Sequence, residues 1–266
     1  MRKRILAIAL ALAAALFVVS AQALTVSELL ENAAKNTDAA KSYEAKVSAK
    51  LTMSAEGETI STDIASTVKY TKDPLRMKMV TTSKVGKEKI KIDTYCQVED
   101  ELLAMYMVMD GQVSKMEMEL SEEMLAQVNG AAPDNYLKGY KSVEYLGPQK
   151  LGGKKVHVVA ALLDASLMLG EAQNQLTSMN LDDASADQLL NSVMAQMSDI
   201  PVKLFIDAKT QLYTRIEIDL TGLMKGLLQA LLGESIEMEY TMTMDYKNYN
   251  KVKPFSIPSS VIKKAS

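Results

Sequence analysis

Hydrophobic and polar positions alternate between helical and two-residue periods along this chain. In LTVSELLENAAKNTDAAKSY, Val26, Leu29, Leu30 and Ala33 recur at helical spacing, and Thr25 with Glu28 has the spacing of a capping box. A helix is predicted over about 26–38. Beyond it the period becomes two.

The segments YEAKVSAKLTMSA, ETISTDIASTVKY, LRMKMVTTS, EKIKIDTYCQV, ELLAMYMVM and QVSKMEMEL follow one another with short breaks at Glu56-Gly57, Asp73-Pro74, Val85-Gly86, Glu99-Asp100 and Asp110-Gly111. This pattern predicts an antiparallel meander of about six strands. If Asp110-Gly111 is a two-residue type I′ turn, Met109 faces Gln112, Met107 faces Ser114, Met105 faces Met116 and Leu103 faces Met118. Leu103, Met105, Met107, Met109, Met116, Met118 and Leu120 then share one side, with Tyr106, Lys115, Glu117 and Glu119 on the other. A slip of one residue would mix methionines with charges, so the pattern itself selects the register.

Ser121, Glu122 and Glu123 open a short predicted helix through about Val128, and NGAAPDN reads as a loop. KSVEYLGPQ and KKVHVVAALLD form a hairpin around Gly152-Gly153. A helical insert is expected over roughly 165–198, with a second capping box at Ser185 and Gln188 and Pro201 after its end. IPVKLFIDAKTQLYTRIEIDL is a further hairpin turning near Ala208-Lys209. GLMKGLLQALLG follows as a short helix that is apolar over most of its circumference, through Leu223, Leu227, Leu228, Leu231 and Leu232. SIEMEYTMTMDY returns to period two, and KNYNKVKPFSIPSSVIKKAS is expected to be an extended, proline-punctuated tail.

The first residues add a destination. Arg2, Lys3 and Arg4 precede an apolar run from Ile5 to Val19 and then Ala21-Gln22-Ala23, which reads as a signal peptide over 1–23 with cleavage near Leu24. The run is too short for a comfortable membrane span. No cysteine follows the cleavage point, so the product is expected to be extracytoplasmic without a lipid anchor. No linker-like stretch divides residues 24–266, which points to one domain.

Charge and composition narrow the function. The full chain carries a net charge of −3, and removing the three basic residues of the signal leaves −6. Nucleic acid is a poor partner for such a chain, because phosphate binding needs a concentrated basic face. The single cysteine, Cys96, lies in an alternating strand and reads as a small buried hydrophobe. One histidine, His157, leaves no multi-histidine metal site, and a Ser-His-Asp triad would have to be built on this strand residue. Ser260 and Lys263 match S-x-x-K, but in the tail. Neither a catalytic pair nor a cofactor is indicated, and the chain is expected to act as a non-enzymatic monomer.

The methionines carry the remaining information. Met53, Met77, Met79, Met105, Met107, Met109, Met116, Met118, Met238, Met242 and Met244 all fall in predicted strands, where β-branched residues are usually preferred. Unbranched, polarizable thioethers can repack around ligands of different shape. Met77, Met79, Leu103, Met105, Met107, Met116, Met118, Leu223, Leu227, Met242 and Met244 are therefore the candidate lining of an apolar cavity. The same residues could instead form a solid core under the helices. Burying one methionine contributes roughly 1.5 to 3 kcal/mol whichever partner covers it, so energy does not separate the two readings. The lysines of SKVGKEKIKI (Lys84, Lys87, Lys89 and Lys91) could meet anionic head groups at a membrane surface. They could also guard a solvated edge strand.

The order of these parts resembles the LolA/LppX-like superfamily of exported lipoprotein and lipid carriers. Pro74 to Lys78 has the form Pro-x-x-Met-Lys, and Tyr246 to Val252 has the form Tyr-x-x-Tyr-Asn-x-Val. The resemblance implies an α+β fold: a large curved antiparallel sheet, an unclosed half-barrel, with helices covering or inserted into its concave face. It also implies a cavity that accepts acyl chains. Arg76 and Arg215 are the only arginines after the signal, and neither is assigned the role of the carrier branch's functional arginine. The functional expectation is a protein that holds a lipid, acyl chain or other hydrophobic ligand. A cell-envelope interaction or sensing module with a solid core and a protein partner is the alternative.

Overall fold

The computed structural model describes residues 25–55, 58–85, 88–99, 102–119, 139–165, 198–232 and 236–265. The expected signal segment, the helix from Ser121 to about Val128, the NGAAPDN loop and all but the ends of the insert over 165–198 lie outside these residues.

Helix α1 (Val26–Asp38) starts where the pattern places it. The Thr25 hydroxyl accepts from the Glu28 amide at 3.2 Å, and the Glu28 carboxylate accepts from the Thr25 amide at 2.8 Å. This reciprocal pair satisfies donors that the first turn leaves unpaired.

Eleven strands then build one antiparallel sheet. The first six are β1 (Ser42–Ala55), β2 (Glu58–Lys72), β3 (Leu75–Val85), β4 (Glu88–Glu99), β5 (Leu102–Met109) and β6 (Gln112–Glu119). The others are β7 (Tyr140–Leu151), β8 (Lys154–Leu163), β9 (Ile200–Asp207), β10 (Tyr213–Asp219) and β11 (Glu237–Lys247), with α2 (Thr221–Leu232) before β11. Their spatial order is β6-β5-β4-β3-β2-β1-β11-β10-β9-β8-β7. Two meanders thus run in from opposite edges and meet where β1 pairs with β11. Among the described residues the sheet curves without closing, an α+β half-barrel whose edges are β6 and β7.

Parity along each strand separates the faces. On the inner face, Leu29, Leu30 and Ala33 of α1 pack on Val159, Leu163, Ile200, Val202, Leu204 and Ile206 of β8 and β9, with Ile216, Ile218 and Leu223 at the margin. Ala33 and Ala34 are fully buried, and their small side chains let the helix lie close to the sheet. This is the main core, and it sits over the β7–β10 half.

Three expectations are corrected. The tail is not simply extended: after Pro258 it forms α3 (Ser259–Lys264), six residues that show too little periodicity to announce themselves. Ile257 and Val261 pack on Tyr95, Ala104 and Tyr106, so the outer side of β5 that reads as polar in sequence has an apolar patch under the tail. The Arg76 guanidinium donates to the Phe255 carbonyl at 2.6 Å and the Lys264 ammonium donates to the Gly111 carbonyl at 3.3 Å, which pins the tail across the outer face. Finally, the lysine-rich β3–β4 hairpin is no edge: both strands are interior, and Lys84 stands directly opposite Lys89 on the outer face.

Candidate functional site

The β5–β6 hairpin fixes the site's register. Asp110 and Gly111 both adopt positive φ, 51° and 79°, as a type I′ turn requires, and the right-handed strand twist favours that turn. Leu103 faces Met118, Met105 faces Met116, Met107 faces Ser114 and Met109 faces Gln112.

Following the same pairing across the sheet puts residues in rows. One row runs Tyr70, Met77, Cys96, Met105, Met116 from β2 to β6. The next runs Val68, Met79, Thr94, Met107, Ser114. A third begins on β11 and runs Met244, Val47, Ser66, Thr81, Ile92, Met109. Every candidate lining residue on a strand therefore faces the inner side. They fall in two groups. Met77, Met79, Leu103, Met105, Met107, Met116 and Met118 lie on β3, β5 and β6, whereas Met242 and Met244 lie on β11. From Met244 to Met109 there are five strand steps, about 24 Å measured along the sheet. Leu223 of α2 joins the core beside β9 and β10, on the Met242 side, and Leu227 is half-buried one turn later.

Burial changes steadily along β5. Leu103 is 6% exposed, Met105 is half-buried, Met107 is 39% exposed and Met109 is 48% exposed. Ile60 and Ile90, near the turns at the same end of the sheet, are exposed as well, and so is Met116 on the edge. Along β5 the inner face is buried at Leu103 and open at the end where the β1–β2, β3–β4 and β5–β6 turns lie, although Val98, paired with Leu103, is itself 38% exposed.

Chemically this surface is uniform. Across β3 to β6 its inner positions are Met, Leu, Ile, Val, Thr, Ser and Cys, with Glu88 and Gln112 only at the turn end. Charged side chains of these strands, such as Lys78, Lys91, Asp93, Lys115 and Glu117, stand on the outer face. Between the two methionine groups the floor is small: Ala45, Ala49 and Ser66 are buried, and the Ser66 and Thr81 hydroxyls share a hydrogen bond at 2.8 Å. Nothing in the alternation marks these floor residues, because a small or hydroxylated residue gives no strong hydropathy signal; only the pairing of β1 with β2 and β11 assembles them.

At the Leu103 end of the inner face lies a group of tyrosines. Tyr43 stacks on Tyr70 with ring centroids 4.9 Å apart and meets Tyr246 edge-on at 5.7 Å, and the Tyr249 hydroxyl donates to the Tyr213 carbonyl at 2.8 Å. Burial pushes the Tyr70 phenol up to about 12, with the Tyr43 hydroxyl and the Asp38 carboxylate adding to the effect. Burial also raises the Cys96 thiol, which keeps it protonated and unreactive.

The remaining candidates stand apart from this surface's chemistry. His157 Nδ1 shares a hydrogen bond with the Tyr145 hydroxyl at 2.7 Å on the β7–β8 hairpin. Ser260 and Lys263 lie on α3, on the outer side. Arg215 makes a two-point ion pair with Asp245, at 2.7 and 3.1 Å. Among the described residues no group of three His, Cys, Asp or Glu side chains could hold a metal ion.

Comparison with known proteins places the chain. No curated protein matches it. It is similar to the solved structure of the lipoprotein LppX of Mycobacterium tuberculosis, with 15% identity and a TM-score of 0.48 over 86% of this chain and 99% of that one. LprF of Mycobacterium bovis is similar at 14% identity and a TM-score of 0.45, over 87% and 95% of the two chains. A LolA superfamily protein of Nitrosomonas europaea follows at 11% identity and a TM-score of 0.25, over 90% and 97%. The model of the family of unknown function DUF6612 matches residues 25–266, and the chain belongs to that family.

Proposed function

We propose that this protein is a non-enzymatic, extracytoplasmic binder of a lipid, acyl chain or other hydrophobic ligand, held against the inner face of the half-barrel. The observation that carries the reading is the graded exposure of that face: methionines 39–49% exposed at Met107, Met109 and Met116 continue into a buried, uncharged interior. A contiguous apolar surface left open to water marks an interaction site. Met77, Met79, Leu103, Met105, Met107, Met116 and Met118 are the proposed primary contacts, and Met242, Met244, Leu223 and Leu227 the far wall. At about 0.8 kcal/mol per buried methylene, a sixteen-carbon chain offers a gross driving force of about 12 kcal/mol before ordering costs. Export rests on the sequence of residues 1–23.

The test is displacement of a fluorescent fatty acid. The folded protein is expected to bind the probe saturably and to release it to unlabelled fatty acid or phospholipid. Absence of binding by the folded chain would contradict the proposal and favour a module that engages a protein partner.

A further inference from the structure

The two edges of the sheet are built differently. β7 carries Pro148, a left-handed Gly147 (φ 92°) and register shifts between Tyr140 and Ser142 and between Tyr145 and Gly147. Proline and bulges are devices that stop another strand from adding to an edge. β6 has none of them. Its eight residues, QVSKMEME, pair with β5 without a single irregularity, and among the described residues no strand lies on its other side. Six of the eight are exposed, with only Val113 and Met118 drawn further in.

The hairpin turn tells which main-chain groups point outward. In a two-residue turn the flanking pair, Met109 and Gln112, exchanges both hydrogen bonds, and bonded pairs then recur every second residue. Gln112, Ser114, Met116 and Met118 therefore direct their amides and carbonyls at β5. Val113, Lys115, Glu117 and Glu119 direct theirs away from the sheet, toward the open edge.

We propose that the β6 edge is a self-association surface on which a second copy of this chain pairs antiparallel about Met116. In that register Met116 stands opposite Met116 of the second copy, Lys115 opposite its Glu117, Glu117 opposite its Lys115, and Val113 opposite its Glu119. The outward main-chain groups meet in eight hydrogen bonds. Both charge pairs are attractive, whereas centring on Lys115 or on Glu117 would set like charges face to face. Even index sums are required, because a one-residue slip would put methionines opposite charges. Within one chain Lys115 already holds Glu117 at 2.6 Å, so the two side chains are ordered in the alternation that the second copy matches. Such pairing is isologous and consumes the open edge of both copies, and the defended β7 edge stops growth there. The assembly closes at two, with the inner faces continuous across the two Met116 side chains. This conclusion departs from the expected monomer and does not depend on a bound ligand.

Charge exchange tests the register directly, by sedimentation velocity of the full chain over about 1 to 100 µM, the range in which an edge contact of this size is populated. Wild type is expected to show a reversible monomer–dimer equilibrium. Lys115→Glu and Glu117→Lys each place like charges opposite one another twice and should weaken self-association at least about tenfold. The double exchange should restore it, and so should mixing the two single variants, which an unfolded variant could not do. A monomer at every wild-type concentration overturns the proposal, and so does self-association that is the same in all variants.

Discussion

Met107 and Met109 stand where the proposed binding surface departs from a packed core. Each sits on a face whose deeper residues are buried, yet each keeps a large share of its thioether in water. Replacing Met107 by Glu should leave the fold intact, with a stability change within about 1 kcal/mol, because the site is already solvated. The same change places a charge among apolar contacts and should weaken fatty-acid probe binding at least tenfold, whereas Met107→Leu should change it little. Tyr70 gives a second residue-scale outcome. Its folded pKa, about 12, lies above the ordinary 10.0. The neutral phenol's contribution to stability is therefore complete below pH 10 and is lost as pH rises from there to about 12. Denaturant titrations at pH 9 and pH 11.5 should show a smaller alkaline loss for Tyr70→Phe than for wild type; Tyr43 and Tyr249, also raised by burial, keep the remainder.

At the scale of elements, the tail acts as a strap on the outer face. Val261 is 8% exposed against Tyr95, Ala104 and Tyr106, whereas its neighbour Ile262 is 40% exposed. Val261→Asp should lower unfolding free energy by about 2 kcal/mol or more, and Ile262→Asp by less than about 0.5, measured by urea titration. The hairpins were legible in the sequence because turn chemistry and two-residue parity are local: Asp110-Gly111 alone sets the partners of all eight β5 residues. Helix α1 was legible for the same reason, through Thr25 and Glu28. What joins the pieces was not. The β1–β11 contact pairs Ala45 with Tyr246, about two hundred positions apart, and no local signal encodes it. Without that pairing the lysine-rich hairpin looks like an edge, the small floor residues look unremarkable, and β6 cannot be recognised as an edge at all. The α3 helix escaped because six residues span fewer than two turns.

For the whole molecule, the half-barrel divides its work between two halves. The β7–β10 half is closed by α1 and supplies the main core; the β3–β6 half presents an inner methionine face, exposed at Met107, Met109 and Met116. Thioethers on a curved, uncharged face suit an occupant whose shape varies, since Met repacks with little penalty. Under the proposed function, stability and binding fall to different strands of one sheet, so a substitution such as Met107→Glu is expected to separate them. Native mass spectrometry of the protein purified from an expressing bacterium, followed by solvent extraction, is the decisive measurement for a ligand on the inner face. A discrete mass excess is expected that extracts as lipid or another hydrophobic molecule and is reduced in the Met107→Glu variant. A bare mass that stays unchanged after incubation with phospholipid vesicles would contradict the proposed function.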